Sequence, residues 1–167
     1  MRVYLPATRP LLARAHRSGH YAETGAFAHA VTPALREWYT EGDAEELEYA
    51  ALLDAAEGAL RLLAAEPEAP RRRVVVAAEV PDSLVRPVPT ETGFTSSVAL
   101  AGPVEAARVV SVHVDDGEAV DDVAAAAEAL PAAARGDEDA RFVVDGADAH
   151  DLLWFDVTEV GDVVAGL

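Results

Sequence analysis

One histidine and two aspartates near position 115 are the side chains best suited to acid-base or metal chemistry. They stand together in the segment His113-Val114-Asp115-Asp116-Gly117. If this segment ends a strand, His113 and Asp115 point to the same face, since side chains alternate along a strand. An imidazole beside carboxylates can bind a divalent cation or transfer a proton. The cluster therefore supports one functional hypothesis, a small metal-assisted hydrolase.

The same cluster also has a structural interpretation. Asp116-Gly117 is typical of a turn after a strand, and acidic residues are favoured in the first turn of a helix by its dipole. The cluster has no defined ligand spacing, and the chain contains no His-Glu-x-x-His motif. The sequence predicts no confident metal site and no cofactor, and it favours the structural interpretation.

A short basic segment offers a candidate anion site for such an enzyme. Arg72 and Arg73 belong to the run Arg71-Arg72-Arg73, and either guanidinium could hold an anion. The run stands directly before Val74-Val75-Val76, however, and continuous valines are typical of a strand buried on both faces. A charged lead-in to that strand is the favoured interpretation.

The composition excludes several classes of chemistry. The chain has no cysteine, and all 13 of its basic residues are arginines. Disulfides, cysteine-zinc sites, a P-loop lysine and a Schiff-base lysine are therefore ruled out. No serine lies in a Gly-x-Ser-x-Gly elbow, and no dinucleotide-binding glycine motif is present. Whether the protein is an enzyme stays open, and the balance of motifs is against it.

Charge and hydropathy restrict the partners and the location. A formal net charge of −17 opposes binding to nucleic acid, which normally requires a basic surface. No run of about 18 apolar residues could cross a bilayer, and the start of the chain lacks an extended apolar stretch. We expect no nucleic-acid or membrane partner and a cytoplasmic location, while the acidic surface suits a basic protein partner.

Residues 33–64 predict two helices joined by a turn. Thr32-Pro33 is a typical helix start, and the first helix should break at Glu41-Gly42-Asp43. Asp43 and Glu46 can then form a capping box for a longer helix. The apolar residues of that helix recur at helical spacing and predict a core face formed by Tyr49, Leu52, Leu53, Ala56, Leu60 and Leu63. Asp54, Glu57 and Arg61 would form its solvated face.

Three aromatic residues of this segment allow a second interpretation. Trp38, Tyr39 and Tyr49 could form a surface for a protein partner or for self-association, although aromatic residues are equally common in cores. Packing in the core is the favoured interpretation. The exposure of Trp38 and Tyr39 decides between the two.

Strands interleaved with helices predict an α/β or α+β fold, a single layered domain over residues 1–167. We expect a mixed sheet of about five strands near residues 3–5, 25–31, 72–79, 108–114 and 152–156. Residues 81–103 contain several prolines and glycines and predict an irregular loop with at most a short edge strand.

Several long blocks resemble a family of small actinobacterial proteins of unknown function. The blocks are MRVYLPAT, AVTPALREWYTEGDAEELEYAALLDAA, RRRVVVAAEVP and LLWFDVTEV. The resemblance implies a single-domain cytosolic protein and assigns no role to any residue. The leading functional hypothesis is therefore a non-enzymatic protein that binds a protein partner or forms a homo-oligomer, with the hydrolase as the alternative.

Overall fold

The computed structural model describes residues 1–89 and 93–166, and these are arranged around a seven-stranded sheet. The order across the sheet is β5-β6-β3-β1-β4-β8-β9, and each described pair is antiparallel. A separate ribbon pairs β2 with β7. The strands are β1 (Arg2–Ala7), β2 (His20–Ala22), β3 (Phe27–Ala30), β4 (Val74–Glu79), β5 (Val85–Pro87), β6 (Ser97–Leu100), β7 (Val104–Glu105), β8 (Val109–Val114) and β9 (Leu153–Asp156).

Helices cover both faces of this sheet. They are α1 (Arg9–Ser18), α2 (Pro33–Trp38), α3 (Ala44–Ala65), α4 (Val120–Ala134), α5 (Glu138–Gly146) and α6 (Val160–Gly166). Among residues 1–89 and 93–166, none of the helices is both long and apolar enough to cross a membrane.

Alternating side chains of the central strands build two cores. Val3 and Leu5 of β1 pack with Leu12 of α1 and Val160 of α6 on one face. Tyr4, between those two positions, packs with α3 on the other face. The period of two along a strand therefore directs β1 into both cores. A third cluster joins the end of α3 to α4 and α5.

The predicted helix starts of the 33–64 segment are confirmed. The Thr32 hydroxyl accepts from the Leu35 amide at 3.0 Å, directly before Pro33 in the first turn of α2. Asp43 and Glu46 form the expected capping box, with distances of 2.9 and 3.1 Å. Local side-chain chemistry thus sets where both helices begin.

The predicted fold class is confirmed, and the sheet differs in detail. It has seven strands where about five were expected, and its described pairs are antiparallel, not mixed. The predicted irregular segment 81–103 contains β5 and β6, which pair with each other at one side of the sheet. Residues 90–92 of that segment lie outside the described residues. A proline such as Pro87 is compatible with a short edge strand. A prediction based on proline content alone therefore missed a strand in this segment.

The predicted core face of α3 was partly wrong. Ala56, Leu60 and Leu63 are buried as predicted, but Tyr49 is 49% exposed, and the fully buried Ala51, Ala55 and Ala59 were not expected. The expected solvated face is partly wrong as well. Arg61 is exposed, but Asp54 is half-buried and the Glu57 side chain pairs with Arg141 of α5 at 3.3 Å. Alanine suits either face of a helix, so the spacing of the larger residues predicted only part of the buried face.

Gly58 allows the close approach of α3 to β1. A Cβ atom added to Gly58 would stand 2.7 Å from Cγ of Pro6 and 3.2 Å from its Cβ. The first distance is too short for a real contact and the second is tight, and a proline ring within a strand cannot move aside easily. The small residues of α3 therefore determine how near the helix lies to the sheet.

Substitution of this glycine should destabilise the protein although alanine is the better helix former. Alanine gains up to about 1 kcal/mol of helix propensity, whereas overpacking costs about 1–3 kcal/mol. We expect Gly58→Ala to lower the free energy of unfolding by about 1 kcal/mol. Gly146 of α5 has no heavy atom within 4 Å of an added Cβ, so Gly146→Ala should be neutral or stabilising. Urea denaturation of both variants tests this, and a stabilised Gly58→Ala would contradict the close approach.

Candidate functional site

A buried ion pair joins two of the candidate catalytic and anion-binding residues. Arg73 and Asp115 side chains are 1% and 0% exposed. The Arg73 Nε donates to Asp115 Oδ2 and its Nη2 to Asp115 Oδ1, both at 2.9 Å. The Arg73 backbone amide donates to the same carboxylate at 2.7 Å. The pair connects the start of β4 to the end of β8.

The same guanidinium also orders the connection before β9. Its Nη2 donates to the carbonyl oxygens of Ala147 and His150 at 2.8 and 3.0 Å, and its Nη1 lies 3.4 Å from Asp148. The alternative role of Arg73 as an anion clamp receives no support, because its three side-chain nitrogens are occupied within the chain. Arg72 is half-buried near Gly117 and forms no such arrangement with Arg73.

The three hydrolase candidates have separate structural environments. Asp115 holds Arg73, and Asp116 Oδ1 accepts from the Glu118 amide at 2.8 Å as a helix cap. His113 forms no hydrogen bond with Asp115 or Asp116. Its Nε2 lies 3.3 Å from the Ser111 hydroxyl, and burial lowers its pKa. Within residues 1–89 and 93–166, no group of three or more histidine and carboxylate side chains could hold a metal ion.

The aromatic candidates, in contrast, form a surface of their own. Trp38 is 75% exposed, Tyr39 43% and Tyr49 49%. They line an open depression of about 610 Å³ at the turn between α2 and α3, together with Glu41 and Glu46. We call these five residues the acidic aromatic surface. The favoured prediction that the three aromatics pack in the core is wrong, because α2 buries only Leu35 and ends at Trp38.

Carboxylates surround these rings. Residues 36–49 contain one arginine, Arg36, against the carboxylates of Glu37, Glu41, Asp43, Glu45, Glu46 and Glu48. The Tyr49 hydroxyl donates to Asp151 at 3.0 Å. The pKa of Tyr49 is raised, mainly by partial burial and also by this hydrogen bond. The hydroxyl bond limits the ring's motion while leaving much of it exposed. The surface therefore combines apolar area with negative charge.

A second group of polar side chains surrounds His29 of β3. The Ser96 hydroxyl donates to Asp54 Oδ2 of α3 at 2.6 Å, and His29 Nδ1 lies 2.8 Å from the same oxygen of Ser96. His29 is 6% exposed, and burial, reinforced by the positive charge of Arg61, lowers its pKa to about 4. The imidazole is therefore neutral at pH 7.

His29 also lines a cavity of about 410 Å³ between α3, β1, β3 and the segment before β6. Phe27 and Phe94 contribute aromatic walls, and Arg61 contributes a guanidinium 4.7 Å from the centre of the Phe94 ring. We call this space the His29 cavity. The pKa of Asp54 is raised, and burial of its carboxyl group is the main cause.

Sequence reasoning missed the His29 cavity. It placed Asp54 on the solvated face of its helix. A strand was predicted near residues 25–31, but nothing local indicated that Asp54 and Ser96, 42 positions apart, would meet. Such a contact depends on how α3 crosses the sheet, which a single sequence does not express.

Comparison with known proteins supports the family resemblance. No curated protein and no solved structure matches the chain. The profile of one protein family matches residues 1–164, nearly the whole chain. The chain belongs to DUF6912, a family of unknown function.

Proposed function

We propose that the protein is a non-enzymatic binding module whose acidic aromatic surface holds a basic segment of a partner protein. The observation that carries this proposal is the exposure of Trp38, Tyr39 and Tyr49 together, among carboxylates. Large aromatic side chains are typical anchors of protein interfaces. A cytoplasmic location, which the sequence favours, belongs to the same proposal.

The chemistry of this surface matches arginine or lysine side chains. A cation placed over the face of a tryptophan or tyrosine ring is attracted to it, and neighbouring carboxylates add to that attraction. Glu41 forms no hydrogen bond or ion pair among the described residues, so its carboxylate is available to a partner. Burying the rings against the aliphatic stem of a basic side chain adds an apolar contribution.

Self-association through this surface is less favourable. Two copies meeting face to face would bring Glu41 and Glu46 of each against carboxylates of the other, and each chain carries a formal net charge of −17. Like charges opposed across an interface are costly. The hydrolase alternative receives no further support, because Asp115 is bonded to Arg73 and Asp116 accepts from the Glu118 amide.

Titration with a short peptide that alternates arginine and alanine tests the proposal. We expect binding that weakens with added salt, and weaker binding of the matched peptide in which citrulline replaces arginine. Loss of the tryptophan should remove a cation-ring contact worth about 1–2 kcal/mol, so Trp38→Ala should weaken binding about tenfold. Isothermal titration calorimetry measures each affinity.

Two control variants separate this surface from the general acidity of the protein. Phe142→Ala removes an aromatic ring that is 81% exposed on α5, outside the acidic aromatic surface, and should leave the affinity unchanged. Glu41→Gln should weaken binding more than Glu128→Gln, a matched change on α4. Equal effects of Trp38→Ala and Phe142→Ala would contradict the proposed surface.

A further inference from the structure

We propose that the His29 cavity binds a small organic acid with a planar ring, an anionic group for Arg61 and an O–H or N–H donor for His29 Nε2. This site is separate from the acidic aromatic surface and does not depend on the function proposed for it. The proposal rests on the hydrogen-bond directions around His29, the position of Arg61 and the aromatic walls of the cavity.

The hydrogen bonds determine which nitrogen of His29 carries the proton. A serine hydroxyl has one hydrogen, and that of Ser96 is donated to Asp54. Ser96 Oγ can then only accept from His29 Nδ1, which must carry the hydrogen. The neutral ring therefore has its lone pair on Nε2. His29 is thereby prepared to accept a hydrogen bond from a ligand.

His29 Nε2 is turned toward the cavity. It lies 3.5 Å from the position that a Cβ on Gly58, another cavity-lining residue, would occupy. No hydrogen bond to Nε2 occurs among the described residues, and the His29 residue as a whole is only 6% exposed. No described side-chain nitrogen or oxygen is both fully buried and without a hydrogen-bond partner, so the unpaired Nε2 is open to solvent through the cavity. A ligand donor in the cavity would satisfy it.

Arg61 supplies the complementary charge. Its Nη2 is 3.5 Å from Glu57, and Glu57 also accepts from Arg141 at 3.3 Å, so this exposed contact occupies little of the guanidinium. The remaining N–H groups can bind a carboxylate. Asp54 is the other charged group near His29, and its carboxylate is bonded to Ser96 and not to Arg61.

The ring of Phe94 stands between the two polar groups. Its centre is 5.4 Å from that of His29, in an edge-to-face arrangement, and 4.7 Å from Arg61 Cζ. Phe27 contributes a second aromatic wall. A volume of about 410 Å³ is within the size range of small-molecule sites and accommodates a substituted ring. One small molecule can therefore contact both polar groups and the aromatic walls.

Three related probes test each requirement separately. 4-Hydroxybenzoate has the ring, the anion and the donor; benzoate lacks the donor; phenol lacks the anion. We expect 4-hydroxybenzoate to bind the wild-type protein about tenfold more tightly than either, since one additional hydrogen bond or charge-assisted bond is worth about 1–1.5 kcal/mol. Amide chemical-shift changes in a two-dimensional NMR titration measure affinity and location together.

Matched variants assign the preference to individual residues. His29→Asn keeps an amide donor near Ser96 but lacks Nε2, so it should bind 4-hydroxybenzoate and benzoate equally. Arg61→Gln should bind benzoate no better than phenol, whereas Arg135→Gln, an exposed control, should retain the wild-type order. Arg61 is exposed, so that variant should fold even if His29→Asn does not. Absence of a preference in the wild-type protein, unchanged preferences in the variants, or shifts located elsewhere would each overturn the proposal.

Discussion

Replacement of Arg73 by methionine should lower the free energy of unfolding by about 3–5 kcal/mol, because it leaves the buried carboxylate of Asp115 without its partner. Asp115 is fully buried, and Arg73 supplies three of its hydrogen bonds, of which the variant keeps only that from the backbone amide. The carbonyl oxygens of Ala147 and His150 would lose a donor as well. A domain of this size typically has only about 5–15 kcal/mol of stability in total.

The same substitution at an exposed site is the matched control. Arg141 pairs with Asp145 at 2.8 Å and with Glu57 at 3.3 Å, and its side chain is 45% exposed. Exposed ion pairs contribute about 0.2–1 kcal/mol, so Arg141→Met should cost no more than about 1 kcal/mol. Urea denaturation gives both values. Equal free energies of unfolding for Arg73→Met and Arg141→Met would contradict a structural role for the buried ion pair.

A double variant distinguishes loss of the pair from loss of packing. Arg73→Met alone leaves the Asp115 carboxylate unpaired, and Asp115→Leu alone leaves the Arg73 guanidinium unpaired. The double variant contains neither buried charge. Replacing both partners of a buried ion pair with apolar residues is often much less harmful than removing one. We therefore expect the double variant to recover part of the stability lost by Arg73→Met. A loss equal to the sum of the two single losses would show that the residues are not coupled.

Acidification should destabilise the protein through His29. Its pKa is lowered from 6.5 in the unfolded chain to about 4 in the folded one, chiefly by burial. Between these values the unfolded state binds a proton that the native state does not. The free energy of unfolding therefore falls as the pH falls from 6.5 to 4. At about 1.36 kcal/mol for each unit of pKa difference, the loss attributable to His29 reaches about 3 kcal/mol.

Other groups titrate in this range, so the test is a difference between two proteins. Asp54 is linked to His29 by Ser96, and the pKa of Asp54 is raised in the folded protein. Protonation of Asp54 therefore favours the folded state at low pH and opposes the loss of stability caused by His29. Arg61 remains charged throughout. Both groups are retained in His29→Asn. The free energy of unfolding of the variant, measured against pH, should have the shallower slope between 4 and 6.5. Parallel curves would mean that His29 is not held neutral by the fold.

Local chemistry explains which parts of the fold the sequence could predict. Thr32-Pro33 and the Asp43–Glu46 capping box are complete within a few residues, and both helix starts lie where that chemistry places them. The buried valines of β4 likewise predict a central strand. The short strands β2, β5 and β7 have two or three residues each, which is too short for a reliable periodic signal.

The candidate sites were harder to predict because their contacts are distant in sequence. Arg73 meets Asp115 across 42 positions, and Tyr49 meets Asp151 across 102. Sequence alone could identify these residues as chemically capable, but not whether they would pair with each other. The sequence therefore suggested separate functional roles for Arg73 and Asp115, whereas the structure shows them bonded to each other. The aromatic candidates proved to be exposed.

The most direct test of the proposed function uses the two tryptophans of the chain, Trp38 and Trp154. Each gives one indole N–H signal in a two-dimensional ¹⁵N–¹H NMR spectrum, and Trp38→Ala assigns them. Trp154 is 60% exposed on β9 and does not line the acidic aromatic surface. On titration with the arginine-alanine peptide, the Trp38 signal should shift strongly and saturate while the Trp154 signal changes little. A Trp38 signal that stays in place, or shifts no more than that of Trp154, would contradict the binding of a basic segment at this surface.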